Sequence, residues 1–282
     1  MAYDALAGGL AHDLTAAVTS SGEGGRGPSR LCADALWGSA LRLLRDAPKI
    51  AVISGFYVPS VLSPETDGPP GALVLTRALS RAGKDVRAWT DSPCFGAFKA
   101  CADVLGIQQD MVEDASASGF DSGGMPLFVY VERLGRAADG CYYNMRGEDI
   151  SQWTAPLDSF ASLGARSIGI GDGGNEVGMG NFNSQLRDLM PGYEECLCVV
   201  KTDVCLPVDV SNWGAYALTA AMSAVYGKWL GQSLEEEASM LGALAASGAV
   251  DGVTKRNEAS VDGFGLERQL EVVSLLKAAA GF

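Results

Sequence analysis

The stretch Ser167-Ile-Gly-Ile-Gly-Asp172-Gly-Gly-Asn175-Glu176-Val-Gly-Met-Gly180 sets the reading of this chain. Its short apolar run reads as a buried strand, and that strand stops at a carboxylate. The glycine-rich turn beyond it presents an amide and a second carboxylate. Glycine there lets the backbone take positive φ and come close to a ligand. A packed core has no use for two acids and an asparagine at one turn, so Asp172, Asn175 and Glu176 are read as site residues.

Working outward, the same punctuation recurs on both sides. Residues 31–46 read as a helix ended by Pro48, and 49–56 as a strand followed by a long loop over 57–71. A helix over 72–82 is closed by Gly83, and a strand over 85–90 ends at Asp91. Then come a helix over 93–105, a strand over 127–131 ending at Glu132, and a short helix over 156–163. Downstream of the glycine turn, 196–202 reads as a strand ending at Asp203, and 213–230, 234–247 and 266–279 read as helices. Strands separated by helices predict an α/β fold: a mostly parallel sheet with helices on both faces and the helical C-terminal third packed on it. The expected organisation is a single domain over 1–282. It comprises an N-terminal segment and loop (1–30), an α/β core (31–210) and a helical part (211–282).

Composition narrows the function classes. A net charge of −13 argues against a nucleic-acid surface, which needs clustered Lys and Arg. No run approaches the roughly 18 apolar residues of a membrane span. The N-terminus Met-Ala-Tyr-Asp-Ala-Leu lacks a basic region and an apolar stretch, so a cytoplasmic location is expected. Seven cysteines without a C-x-x-C pair do not read as a disulfide framework or a zinc site. Cys196 and Cys198 lie in the expected strand and so face one side, as small core residues. The one histidine, His12, excludes a histidine-based triad and zinc held by several imidazoles.

The acids form a constellation. Glu132 and Asp172 end expected strands, Glu176 follows in the turn, and Glu65 and Asp67 sit in the loop after the first strand. Ligands of open parallel sheets bind at the carboxyl ends of strands. Carboxylates gathered there repel unless something positive lies between them, and hard oxygen ligands suit Mg2+ or Mn2+. Asp91 and Asp203 fit ordinary cap or turn positions. Gly169, Gly171 and Gly174 satisfy G-x-G-x-x-G, but Asp172 inside that turn would repel a pyrophosphate, so no nucleotide cofactor is expected.

The segment from Glu132 to Asp149 carries Arg133, Arg136, Asp139, Tyr143, Asn144 and Arg146. Arginine forks match carboxylates in two-point contacts, so the segment suits a small acidic metabolite; a solvated, salt-bridged loop is the alternative. Ser211-Asn212-Trp213 opens a helix whose N-terminus either binds an anion or is simply capped. Gly248-Ala-Val-Asp251-Gly-Val-Thr254 and Ser260-Val-Asp262-Gly263 supply Asp-Gly turns.

Together these motifs resemble the D-glutamate cyclase-like C-terminal domain family. The matching segments are Gly25-Arg26-Gly27, Gly55-Phe56, Pro64-Glu65-Thr-Asp67-Gly-Pro-Pro-Gly71 and Gly135-Arg136-Ala-Ala-Asp139-Gly140 with Tyr143-Asn144. Gly171 to Gly180, Ser211 to Gly214 and Gly248 to Val253 complete them. The resemblance implies an α/β core. It also implies a link to members that join this domain to a hydro-lyase-like domain and convert D-glutamate into 5-oxo-D-proline and water. The expectation is therefore a metal-assisted cyclisation. A divalent cation, Mg2+ or Mn2+, would be held among Glu65, Asp67, Glu132, Asp172 and Glu176. Asp172, Glu176, Asp139 and Asn175 would be catalytic. Arg136, Arg146, Asn144, Tyr143, Asn212 and Arg26 would bind substrate. A metal-dependent phosphoesterase and a non-catalytic module binding an acidic metabolite remain open. So do a homo-oligomer and a functional link to a separate hydro-lyase-like domain.

Overall fold

The structure is a computed structural model that describes residues 9–19 and 27–282. Arg26 lies outside the described residues. Six strands form one parallel sheet: β1 (Lys49–Gly55), β4 (Asp85–Thr90), β5 (Val112–Asp114), β6 (Leu127–Arg133), β7 (Arg166–Gly171) and β8 (Val204–Pro207). Their spatial order is β5-β4-β1-β6-β7-β8. The chain winds outward from β1 in one direction, then returns to β6 and winds the other way. The strand order therefore reverses between β1 and β6, the crevice where open α/β sheets place ligands.

Period-2 alternation decides what each face meets. Ile50, Val52, Val86, Ala88, Val129, Val131, Ile168 and Ile170 join the larger core with the long helices. These helices are α1 (Leu10–Val18), α2 (Ala35–Asp46), α3 (Pro69–Arg81), α4 (Ser92–Val104), α6 (Ser211–Tyr226), α7 (Leu234–Ala246) and α8 (Leu266–Ala279). Ala51, Ile53, Trp89, Phe128 and Tyr130 face a second core with Leu157, Val177, Met179 and Leu186. There the cover is α5 (Asn183–Leu189), short 3-10 turns and loops. Helices thus lie on both faces, as the α/β reading requires, but unequally.

The Ile/Gly alternation of β7 now has a cause. Ile168 and Ile170 point to the helical core, while Gly169 and Gly171 face the returning turn. A Cβ on Gly169 would lie 2.2 Å from the Val177 carbonyl oxygen, and one on Gly171 would lie 2.8 Å from the Glu176 carboxylate. These glycines admit the protein's own chain, not a ligand.

Several expected elements change. Residues 196–202 form no strand; the last strand of the six-stranded sheet is β8. The backbone of 196–202 is drawn instead to the turns around it: Cys198 N–H donates to the Gly174 carbonyl (2.9 Å), Val199 N–H to Arg136 (3.0 Å), and Val200 accepts from Gly178 (3.1 Å). Cys196 and Cys198 are buried, but not by strand alternation. The helix read over 31–46 begins at Ala35, after a 3-10 turn over Gly27–Leu31. Within the long loop, β2 (Tyr57–Val58) and β3 (Ser63–Pro64) make a hairpin, and α3 starts at Pro69, where a proline is pre-set for the first turn. His12 lies on α1, 3.5 Å from Asp34 at the surface.

Candidate active site

Glu132 closes β6 in an unusual way. Ser54 pairs with Val131 and Gly55 with Arg133, so Glu132 is the extra residue of a bulge. Its φ is 45°, a left-handed conformation that costs about 1–3 kcal/mol for such a residue and needs support. The next residue supplies it. The buried Arg133 guanidinium donates to the Gly55 carbonyl (3.0 Å), to Asp91 (2.7 Å) and to the Ala155 carbonyl (2.5 Å). Asp91, at the start of α4, makes no cap hydrogen bond and is spent on this ion pair.

The bulge aims Glu132 at two other buried acids. One oxygen from each of Asp67, Glu132 and Asp172 lies within 4.8 Å of the others. Ser211 Oγ donates to Glu132 Oε2 at 2.6 Å. Asp67 accepts from the amides of Gly68 (2.9 Å) and Asn212 (2.8 Å) on one oxygen and of Ser211 (2.9 Å) on the other. The N-terminus of α6 is therefore already capped by a carboxyl group, the protein's own. Burial pushes Glu132 well above the usual carboxylate range, reinforced by Asp172, Glu176, Asp67 and Glu65. Burial and Asp262 push Asp67 the same way, against the amides of Asn212 and Ser211. Three buried carboxylates in contact are stable only if protons or a cation lie among them. The donors are all hard oxygens, a set that fits a hard divalent cation rather than zinc.

The cluster underlies a cleft of about 330 Å³ that reaches Glu132. Glu65, Gly173, Asn175 and Glu176 line it, with Asn144 and Arg146 on one flank and Gly252, Val253 and Lys255 on another. Phe56, Val58, Met190 and Tyr193 give it apolar sides. The volume suits a small metabolite rather than a polymer. Glu176 stands beside the cluster with both oxygens engaged by its own turn, accepting from Gly173 N–H (2.7 Å) and Gly174 N–H (2.8 Å). Asn175 Nδ2 donates to the Tyr143 carbonyl (2.8 Å), fastening the 143–146 flank to the glycine turn.

Other expected site residues stand elsewhere. Asn212 Oδ1 accepts from the amides of Gly68 (3.0 Å) and Gly71 (2.7 Å), so it caps α3 while Asp67 caps α6. Arg136 pairs with the fully buried Asp158 at 2.8 Å, a carboxylate that also accepts from Tyr142 Oη at 2.5 Å. Asp139 is exposed and accepts from Tyr143 Oη at 2.6 Å. Asn144 reaches the cleft, though its side chain is tied to Glu148 and to the Arg146 amide. Two residues missing from the sequence-based site join it. Ser211 touches two of the three acids. Lys255 lies one residue beyond the Asp-Gly turn motif, which was the signal for it.

An α/β protein with a buried carboxylate cluster at its switch point is the class that fold and cleft define. Residues 14–277 match the family described as D-glutamate cyclase-like, C-terminal, and the chain belongs to that family. It is 36% identical to the mitochondrial D-glutamate cyclase of Homo sapiens over 221 residues. That match covers 70% of this chain and 36% of the human protein, so the chain spans about a third of that relative. Among solved structures, an exopolyphosphatase-related protein from Bacteroides fragilis is 12% identical with a TM-score of 0.47, covering 89% of this chain and 58% of that one. Among the described residues no helix is long and apolar enough to cross a membrane.

Proposed function

We propose that this domain cyclises D-glutamate to 5-oxo-D-proline with loss of water, assisted by Mg2+ or Mn2+ held on Asp67, Glu132 and Asp172. The observation that carries the reading is the buried three-carboxylate cluster, reached through Glu132 by a cleft that Arg146 and Lys255 also line, in a chain of this family. When bound, the cation supplies Lewis-acid polarisation of the γ-carboxylate. The amine attacks the carbon of the γ-carboxylate, a C–N bond forms and one C–O bond of that carboxylate breaks. The two protons lost by the ammonium leave with that oxygen as water. Arg146 at the rim draws the dicarboxylate in. A cleft carboxylate outside the cluster, Glu65 or Glu176, takes the ammonium proton and returns it to the departing oxygen. Asn175, with Nδ2 engaged, offers Oδ1 to orient the amine. Confinement of amine and carboxylate in a small cleft supplies near-attack geometry.

The reciprocal caps of Asp67 and Asn212 cross between 31–210 and 211–282, which supports taking the two parts as one domain. A cytoplasmic location, a homo-oligomer and cooperation with a hydro-lyase-like domain are proposals of the same standing. The test is incubation of chelator-stripped protein with D-glutamate, with and without Mg2+ or Mn2+, followed by chiral chromatography. Metal-dependent 5-oxo-D-proline is expected. Intact D-glutamate under every metal would contradict the reading, and phosphate-ester hydrolysis or binding without turnover would then be assayed.

A further inference from the structure

Gly252 sits between two opposite charges in the cleft wall. A Cβ there would lie 1.6 Å from Glu65 Oε1, so the carboxylate packs directly on the glycine backbone. The Lys255 ammonium donates to the carbonyl oxygen of the same Gly252. One residue thus brings a carboxylate and an ammonium to neighbouring points of the cleft, and both line it.

The arrangement is built, not incidental. Val250 N–H donates to the Pro64 carbonyl and Thr66 N–H to the Val250 carbonyl, each at 2.9 Å, so the loop continues the ladder that carries Glu65. Asp251 then fixes the loop. Oδ1 accepts from the amides of Val253 and Thr254 at 2.8 Å, and Oδ2 accepts from Ser260 Oγ (2.6 Å) and Gly263 N–H (2.8 Å). Lys255 itself holds a left-handed backbone, φ 61°, with its N–H on the Asp251 carbonyl at 2.9 Å. Strain of this kind persists where the surroundings over-determine it. Neither Glu65 nor Lys255 belongs to the three-acid cluster.

We propose that Glu65 and Lys255, set against Gly252, form a zwitterion subsite that holds the head group of an α-amino acid. The substrate ammonium donates to Glu65 and its α-carboxylate accepts from Lys255, whose ammonium has further donors beyond the one spent on Gly252. The side-chain carboxylate then reaches the acid cluster and its cation. The substrate class is an amino dicarboxylate entering side chain first. This deepens the cyclase reading and rests on it for the cation at the acid cluster and for the choice of D-glutamate as a probe.

The experiment is calorimetric titration of the Mg2+-loaded chain with D-glutamate, glutarate (no ammonium) and 4-aminobutyrate (no α-carboxylate). Lys255→Met should weaken D-glutamate and glutarate by at least about tenfold and leave 4-aminobutyrate unchanged. Glu65→Gln should weaken D-glutamate and 4-aminobutyrate and spare glutarate. Lys255→Arg should restore glutarate binding. Thermal melting and Mn2+ affinity of each variant separate this pattern from misfolding or loss of the cation. Equal effects on all three probes, no effect on any, or no binding of any probe to the unsubstituted chain would overturn the subsite. The crossed pattern without any 5-oxo-D-proline would retain the subsite and end the cyclase reading.

Discussion

Two charged regions flank the glycine turn, and they behave in opposite ways. Two arginines at and just beyond the end of β6 are spent inside the protein, Arg133 on Asp91 and Arg136 on Asp158. The acids at the switch point crowd one another, and burial with neighbouring carboxylates drives Glu132 and Asp67 upward. Residue type alone would have made both regions binding sites. What separates them is whether the fold brings each charge its opposite. In these two regions the charges matched internally hold structure, and those gathered with their like form the candidate cation site.

The sharpest way to break this contrast is at Arg133. Arg133→Met should cost about 3–5 kcal/mol in urea denaturation, because Asp91 would stay buried without its cation. A loss under 1 kcal/mol would show that the arginine segment is not structural. Glu237 sharpens the contrast from the other side, as a buried acid outside the three-acid cluster whose upward shift no neighbouring carboxylate causes. Its oxygens accept from Gln232 (2.9 Å) and Tyr216 (3.2 Å), and burial pushes it up to about 7 from the ordinary 4.5. Its folded form therefore holds a proton more tightly than the unfolded chain does. This acid's contribution is most favourable below about 4.5 and declines as pH rises toward about 7. Glu237→Gln should flatten that slope, worth about 3 kcal/mol at full ionisation, and leave Mn2+ affinity unchanged. An unaltered slope of stability against pH would show that Glu237 is not held protonated.

Smaller effects should divide the two regions by readout. Ser211→Ala removes a hydroxyl that orients Glu132, and Mn2+ affinity should fall about 10–100-fold with little change in melting. Arg136→Met should do the reverse, costing about 1–3 kcal/mol of stability through Asp158 while the KM for D-glutamate stays constant. A raised KM would return Arg136 to the substrate site. Asn212→Ala, which uncaps α3, should cost about 1 kcal/mol by the same denaturation measurement.

How much of this was legible before the fold depends on whether the determinant was local. The Ile/Gly alternation of β7, the strand over 85–90 and the helix over 266–279 follow from periodicity, and all three appear where periodicity puts them. The acids at the ends of β6 and β7 follow from strand reading plus the rule for parallel sheets. Residues 196–202 looked like a strand because they are apolar, but their hydrogen bonds go to the glycine turn and Arg136. Asn212 looked like a ligand-binding amide, whereas its partner amides lie 144 and 141 residues away in Gly68 and Gly71. The Asp-Gly turn beside Lys255 was legible, but its place in the cleft was not, because that depends on the docking of Val250 on Pro64 and Glu65, a long-range pairing.

The central claim is that Asp67, Glu132 and Asp172 form one cation site. Its most direct test is calorimetric titration of chelator-stripped protein with Mn2+, beside Asp172→Asn. Saturable binding to the unsubstituted chain is expected, and at least about 100-fold weaker binding to the variant with equal melting temperatures, because a lost ligand should exceed the 10–100-fold cost of a lost outer partner. Equal affinity in both proteins, or no binding to either, would contradict it.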